Sequence, residues 1–75
     1  MEDCFLLVKD EIQKAKQVYT LPFSNQHEAY AVILEEVDEL WDEIKKKQKD
    51  YDLELQRKEA IQAAAMLFRF IIELT

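Results

Sequence analysis

The longest amphipathic pattern in the chain lies between residues 28 and 47, and it predicts one long helix. At about 100° per residue, its large apolar side chains form a single stripe. These side chains are Tyr30, Ile33, Val37, Leu40, Trp41 and Ile44. Glu36, Glu39 and Glu43 do not lie opposite this stripe. Because carboxylates that share a face with large apolar residues are costly to desolvate, the pattern indicates that something nearby compensates their charge.

Another helix and a break precede this segment. The helix is predicted from about residue 3 to residue 19, because apolar residues recur there at spacings of three and four. These residues are Phe5, Val8, Ile12, Ala15 and Tyr19. The polar residues between them, among them Glu11 and Lys14, are interpreted as a solvated face. Pro22 then ends the helical geometry, and Ser24 or Asn25 is expected to cap the next helix.

The central helix is predicted over residues 26–48 and a third helix over residues 53–74. A run of lysines at the end of the central helix complements the negative end of its dipole. Asp50 or Asp52 is expected to cap the third helix. Since only a short connection joins these two helices, they are expected to be antiparallel.

The third helix is apolar nearly all round. Between residues 60 and 74 its polar residues are Gln62, Arg69 and Glu73, so it needs burial on several sides. Two other helices of a 75-residue chain cannot supply that burial. We therefore expect an all-α single domain over residues 1–75, with three helices per chain. A homodimer or homotetramer would complete a four-helix bundle, and Arg69 would pair with Glu73 or with an interface acid.

Composition narrows the class of protein. The net charge is −6, and an acidic surface repels phosphate backbones, so nucleic acid is not an expected partner. No uncharged apolar run reaches the length of a membrane span, so no membrane partner is expected either. Cys4 is the one cysteine, which favours a reducing cytoplasm. We expect it to pack as a small buried hydrophobe.

Two pairs of polar side chains on consecutive helices have the spacing of a cation site. Glu36 and Glu39 lie three residues apart in an EExxE segment that begins at Glu35, and Glu59 and Gln62 repeat this spacing on the third helix. Because the two helices are antiparallel, both pairs are expected at nearly the same level. Oxygen ligands favour Mg²⁺ or Mn²⁺ over zinc. Such an ion implies phosphoryl or nucleotidyl transfer to water.

These residues also carry a resemblance to a known family. The segments HEAYAVILEEVDELWDEI, residues 27–44, and EAIQAAAMLFRFI, residues 59–71, resemble the MazG-like all-α NTP pyrophosphohydrolases. That family carries EExxE followed by ExxD on the next helix, and the chain looks like its small single-domain branch. The resemblance implies hydrolysis of a nucleoside triphosphate, often a deoxynucleotide, to the monophosphate and pyrophosphate. It also implies an oligomer of helical subunits.

The resemblance implies roles for individual residues. Glu36, Glu39 and Glu59 match metal-binding acids of the family, and Glu35 or Glu39 would orient the water that attacks the α-phosphorus. Gln62 stands where the family motif has Asp. Its carbonyl would ligate without charge, so the metal affinity is expected to fall.

Other residues are candidates for contact with the substrate. Lys58 or Arg69 would take the place of the basic segment that follows the last helix in longer members of the family. His27, in the first turn of the central helix, matches a histidine of related chains, although capping or packing also explains it. Trp41 and Tyr30 are of the type that stacks on a nucleobase, but their place on the apolar stripe favours packing.

The sequence also supports a second kind of function. A non-catalytic homo-oligomeric helical interaction module would keep the same fold without hydrolysing a nucleotide. Gln62 favours that alternative, whereas the intact EExxE segment and Glu59 favour the Mg²⁺-dependent enzyme. Neither hypothesis selects a base, a sugar or the number of metal ions.

Overall fold

The computed structural model describes residues 3–18 and 20–75, and these residues form three α-helices without a β-strand. The helices are Cys4–Val18 (α1), Gln26–Ile44 (α2) and Leu53–Leu74 (α3). The all-α fold with three helices is therefore confirmed for the described chain. None of these helices is both long and apolar enough to cross a bilayer.

α3 is the central helix, because it packs against both α1 and α2. Phe23, just before α2, hydrogen-bonds to Glu73 near the end of α3, so α2 and α3 are antiparallel as predicted. α1 runs parallel to α3. Its first half lines a cleft with the first half of α3, and Val18 at its end lines a cleft with Met66. α1 and α2 therefore both pack against α3.

The N-termini of α2 and α3 are capped by residues that were predicted to do so. The Asn25 side chain accepts a hydrogen bond from the backbone N–H of Glu28 at 2.9 Å, and the Glu28 carboxylate accepts from the backbone N–H and hydroxyl of Ser24. Asp52 accepts from the backbone N–H of Leu55 at 3.0 Å. These bonds satisfy backbone donors that have no partner inside the first helical turn.

α2 ends earlier than predicted. It stops at Ile44 with Lys45 as its C-cap, whereas the sequence predicted a helix through residue 48, and Gln48–Asp50 form a separate 3₁₀ turn. The Tyr51 hydroxyl donates a hydrogen bond to the Ile44 carbonyl at 2.8 Å and satisfies one of the acceptors at the helix end. The exposed residues that follow bury no apolar side chain, so packing does not extend the helix.

The core between α2 and α3 is built on small side chains. Ala29 on α2 and Ala65 on α3 have no exposed surface, and Phe23 and Met66 are 6% exposed. Alanine at these positions lets the helix backbones approach closely. Half-buried apolar residues from all three helices surround this centre; they are Val8, Ile12, Ala15, Val32, Ile33, Phe70 and Leu74.

Two predictions for α1 are wrong. Cys4 was expected to be buried, but it is an exposed free cysteine. Phe5 was placed on the packing stripe of α1, but it is 82% exposed. Both residues lie in the first turn, before α1 reaches the core at Val8. Tyr19, the last predicted member of the stripe, lies outside the described residues.

The apolar stripe predicted on α2 is divided between two faces. Ile33 and Leu40 are half-buried, whereas Tyr30 and Trp41 are 65% and 55% exposed, so the expected packing of these two aromatic rings does not occur within the chain. The outer face is called the exposed α2 stripe. Its members are Tyr30, Leu34, Val37, Trp41 and Ile44. Their alternating spacings of four and three are typical of a helix face that packs against another helix.

A buried ion pair anchors the connection between α1 and α2 to the end of α3. Arg69 donates from Nε to Glu73 Oε2 at 2.7 Å and from Nη2 to Oε1 at 3.2 Å, which confirms one of the two predicted partners. The Phe23 backbone N–H donates to Glu73 Oε1 at 2.7 Å. The Arg69 guanidinium also lies 4.2 Å from the centre of the Phe23 ring, at cation–π distance.

The pKa of Glu73 lies below its ordinary value because Arg69 hydrogen-bonds to its carboxylate. A carboxyl group whose pKa falls on folding stabilises the protein at pH values above its unfolded pKa. That stability is lost as the pH falls through the lowered folded pKa.

Glu73→Gln should destabilise the fold strongly, because it removes the negative charge that the buried Arg69 guanidinium binds through two hydrogen bonds. Removing one partner of a buried pair costs about 3–5 kcal/mol, and urea unfolding should show a loss of that size. Asp42→Asn is the matched control, since it breaks the exposed pair between Asp42 and Lys45 and should cost less than about 1 kcal/mol. Equal losses in the two variants would contradict the anchoring role.

Candidate metal centre

Three carboxylates from two helices converge where α2 packs against α3. Glu36 and Glu39 lie one helical turn apart on α2, and Glu59 faces them from α3. One carboxylate oxygen from each of these residues lies within 4.8 Å of the other two. The antiparallel packing thus brings together three of the four predicted ligands, and we call this group the carboxylate cluster.

Burial and neighbouring acids raise the pKa values of Glu36 and Glu59. Burial raises the pKa of Glu36 from 4.5 to about 7, and the charge of Glu39 adds to the effect. Burial also raises the pKa of Glu59, and an interaction with Glu39 adds to it, while the nearby Lys58 acts in the opposite direction. A group whose charge is disfavoured by its neighbours is common at functional sites.

Two oxygens of the cluster have no hydrogen-bond donor. Oε2 of Glu36 and Oε2 of Glu59 are both inaccessible to solvent and unpaired. A buried acceptor without a partner costs free energy, and a bound cation would satisfy both oxygens at once. Carboxylate oxygens are hard ligands that suit Mg²⁺ or Mn²⁺, so the donor set fits the predicted metal.

Gln62 lies beside the cluster on a cleft that all three helices enclose. It follows Glu59 by three residues on α3, and with Glu36 it lines this cleft of about 250 Å³. We call this space the Glu36 cleft. α1 contributes Lys14 and Val18 to its wall, α2 contributes Val32, and α3 contributes Met66. Gln62, the fourth predicted ligand, therefore lines the same cleft as Glu36.

Glu35 occupies a different position from the cluster. It is exposed, and it lines a second cleft of about 260 Å³ together with Phe23, Arg69 and Glu36. Glu36 therefore borders both clefts. Of the two residues predicted to orient a water, Glu39 belongs to the cluster and Glu35 lies at its edge.

The predicted substrate-binding residues are spread over the molecule. Lys58 lines a third cleft, of about 420 Å³, between α1 and α3. His27 is exposed in the first turn of α2, nine residues before Glu36, which is about 13 Å along a helix axis. Trp41 lies on the exposed α2 stripe, two residues after Glu39 and therefore on the opposite side of the helix.

The contribution of α1 to the site was not predicted from the sequence. Glu11 and Lys14 were interpreted as part of a solvated face, but both line the Glu36 cleft. Lys14 is 3.9 Å from Glu11, at the limit of an ion pair, and its side chain is 73% exposed. No motif in α1 distinguishes this lysine from its neighbours, so only the packing of α1 on α3 could have identified it.

Comparison with known proteins leaves this picture unchanged. A scan against protein-family models and searches of curated proteins and of solved structures found no match. The carboxylate cluster and the motif that its residues form are therefore the features that indicate a function.

The metal-free fold should lose stability as the pH rises from about 4.5 to about 7, because the folded state holds the Glu36 proton more tightly than the unfolded chain does. Glu36→Gln removes this titration, and above that range it should melt at a higher temperature than the wild type. Thermal unfolding in EDTA, followed by circular dichroism, measures both effects. Asp38→Asn, an exposed change on the same helix, is the control, because Glu35 itself helps to raise the pKa of Glu36. An unchanged pH profile in Glu36→Gln would refute the expectation.

Proposed function

We propose that this chain is a Mg²⁺-dependent nucleoside triphosphate pyrophosphohydrolase. The observation that carries the proposal is the convergence of Glu36, Glu39 and Glu59 within 4.8 Å, with two of their buried oxygens unpaired. The resemblance of the two helical segments to the MazG-like family adds the reaction type. The product pair would be a nucleoside monophosphate and pyrophosphate.

In the proposed reaction, the oxygen of a water molecule bonds to the α-phosphorus of the nucleotide. The bond between that phosphorus and the oxygen that bridges to the β-phosphorus breaks, and pyrophosphate leaves with the electron pair. A carboxylate receives the proton of the attacking water. Glu39 is the acid that lies in the cluster, and Glu35 is the alternative from its edge.

The ion has a defined role and a defined set of ligands in this proposal. When bound, Mg²⁺ neutralises phosphate oxygens and lowers the pKa of an attacking water. Glu36, Glu39 and Glu59 would hold it, and Gln62 would add a neutral carbonyl oxygen. Because Gln62 brings no charge, the site should need a higher free Mg²⁺ concentration than one with Asp at that position.

A panel of NTPs and dNTPs, assayed for pyrophosphate release with Mg²⁺ or Mn²⁺, tests the enzyme directly. Glu36→Gln and Glu59→Gln should each lower kcat/KM by more than about 100-fold, since even changes outside the ligand shell cost 10–100-fold. Gln62→Asp should lower the Mg²⁺ concentration that gives half-maximal activity. EDTA should abolish release from the wild type.

Two outcomes would refute the enzyme. One is metal-independent release that survives both Glu→Gln changes, and the other is a folded protein that releases no pyrophosphate from any nucleotide. In the second case the alternative, a non-catalytic interaction module, gains support from Gln62 and from the exposed α2 stripe. A melting temperature that does not respond to millimolar Mg²⁺ would favour the same alternative.

The exposed apolar residues support a homo-oligomer. Besides the exposed α2 stripe, α3 also carries exposed large apolar residues, among them Leu67 and Ile71, which are 50% and 57% exposed. Extensive exposed apolar surface of this kind normally marks an interface. We propose that two copies pack α2 and α3 together as a four-helix bundle, either as a dimer or as half of a tetramer. The single cysteine suits the reducing cytoplasm as the place of action.

Leu34→Glu should dissociate this oligomer, because it places a charge in the middle of the proposed interface. Leu6→Glu is the matched control, since Leu6 is also an exposed leucine but lies on α1. Analytical ultracentrifugation should show a lower mass for Leu34→Glu and an unchanged mass for Leu6→Glu. A wild type that sediments as a monomer at all concentrations would exclude the interface.

A further inference from the structure

The second cleft that Glu36 borders lies between the connection before α2, one side of α2 and the last part of α3. Phe23 lines this cleft, so we call it the Phe23 cleft, and its volume is about 260 Å³. Along α2 it reaches from Glu28 to Glu36, a distance of eight residues or about 12 Å. One end of the cleft is therefore at the carboxylate cluster, and the other end is at the start of α2.

Apolar side chains form part of the wall of the Phe23 cleft. Leu21 and Phe23 belong to the connection before α2, and Val32 belongs to α2 itself. Leu21 is 78% exposed, so its side chain is available to cover a ligand. Sites that enclose a whole drug-sized molecule measure roughly 300–1,000 Å³. The smaller Phe23 cleft is therefore suited to one part of a nucleotide.

The polar side chains of the cleft present mainly hydrogen-bond acceptors. Among the described residues that line it, Glu28, Glu35 and Glu36 carry carboxylates, and Arg69 carries donors. The charge of Arg69 is already balanced by Glu73, to which it donates two hydrogen bonds. Because three carboxylates repel phosphate groups, the cleft favours an uncharged part of a nucleotide over its phosphates.

We propose that the Phe23 cleft binds the base of the nucleotide and prefers a base with an exocyclic amino group. The α-phosphate lies at the carboxylate cluster, and the sugar and base extend from Glu36 along α2 toward Glu28. Adenine and cytosine present an amino group that donates to a carboxylate, whereas hypoxanthine and uracil present a carbonyl oxygen at the same position. This assignment rests on the proposed function, from which it takes the position of the α-phosphate.

Glu35 is the carboxylate that we assign to the amino group of the base. The Glu28 carboxylate already accepts hydrogen bonds from the backbone N–H and hydroxyl of Ser24, and Glu36 belongs to the carboxylate cluster. Glu35 is exposed and lines the cleft between these two residues. With Glu35 at the base, Glu39 is the acid that receives the proton of the attacking water.

Binding of uncleavable nucleotides tests the preference. The ligands are analogues of ATP, ITP, CTP and UTP with nitrogen in place of the oxygen between the α- and β-phosphates, each titrated by calorimetry with Mg²⁺. The wild type should bind the adenine analogue about tenfold more tightly than the hypoxanthine analogue, as expected for one hydrogen bond to a charged group. The cytosine analogue should exceed the uracil analogue by a similar factor. Because the two pairs differ in ring size, a shared preference identifies the amino group.

Three variants test the residues that line the cleft. Glu35→Gln should remove most of the preference, because an amide donates to a carbonyl oxygen as well as accepting from an amino group. Asp38→Asn is the matched control, since Asp38 is an exposed acid of α2 that does not line the cleft, and it should keep both preferences. Leu21→Ala changes the apolar wall at an exposed residue, so folding should survive. It should weaken all four analogues by similar factors.

The outcomes distinguish this assignment from the proposed function. The assignment is overturned, and the enzyme left standing, if the wild type releases pyrophosphate but does not prefer the amino base of either pair. A preference that survives Glu35→Gln in an active enzyme has the same meaning. A preference that depends on Glu35 in a protein that releases no pyrophosphate overturns the enzyme and supports the cleft as a nucleotide-binding site. A wild type that binds none of the four analogues overturns both.

Discussion

The close contact between α2 and α3 is the interaction on which the rest of the structure depends. Ala29 and Ala65 are fully buried where the two helices meet, and their small side chains permit a short distance between the helix axes. The same antiparallel approach brings Glu59 to Glu36 and Glu39. If larger side chains held the helices apart, each acid would be solvated separately, and no shared position for a cation would exist.

Buried charge is used in opposite ways at two levels of α3. Near its end, Arg69 and Glu73 neutralise each other and hold the Phe23 backbone, so the charge supports the fold. In its first half, Glu59 faces Glu36 and Glu39 of α2, and burial raises the pKa values of Glu36 and Glu59. Buried acids with raised pKa values lower the stability of the protein without a ligand, and such groups are typical of binding or catalytic sites. A divalent cation is the partner that we propose for this site.

Much of the fold was predictable because helix periodicity and capping are local properties. The three helices follow from neighbouring residues alone, and so do the two candidates for each cap, of which the structure uses Asn25 and Asp52. The meeting of Glu36 with Glu59 also followed, since a short connection leaves antiparallel packing as the simple arrangement. The end of α2 was predicted wrongly because it depends on Tyr51, whose hydroxyl reaches the last helical carbonyl from the next segment.

The sequence by itself determined that the chain forms three helices, where α2 and α3 begin, and which acids share a level on those two helices. Tertiary structure alone decided where α1 lies, and therefore that Lys14 lines the cleft beside Glu36. It also decided which apolar residues of α2 face α3 and which remain exposed, Trp41 among them. The physical reason is that periodicity gives a residue's angle around its own helix but not the neighbour at that angle. Phe23 lies in the connection between α1 and α2, and its contacts with Glu73 and Arg69 hold that connection at the end of α3. These contacts help to determine that α1 packs against α3.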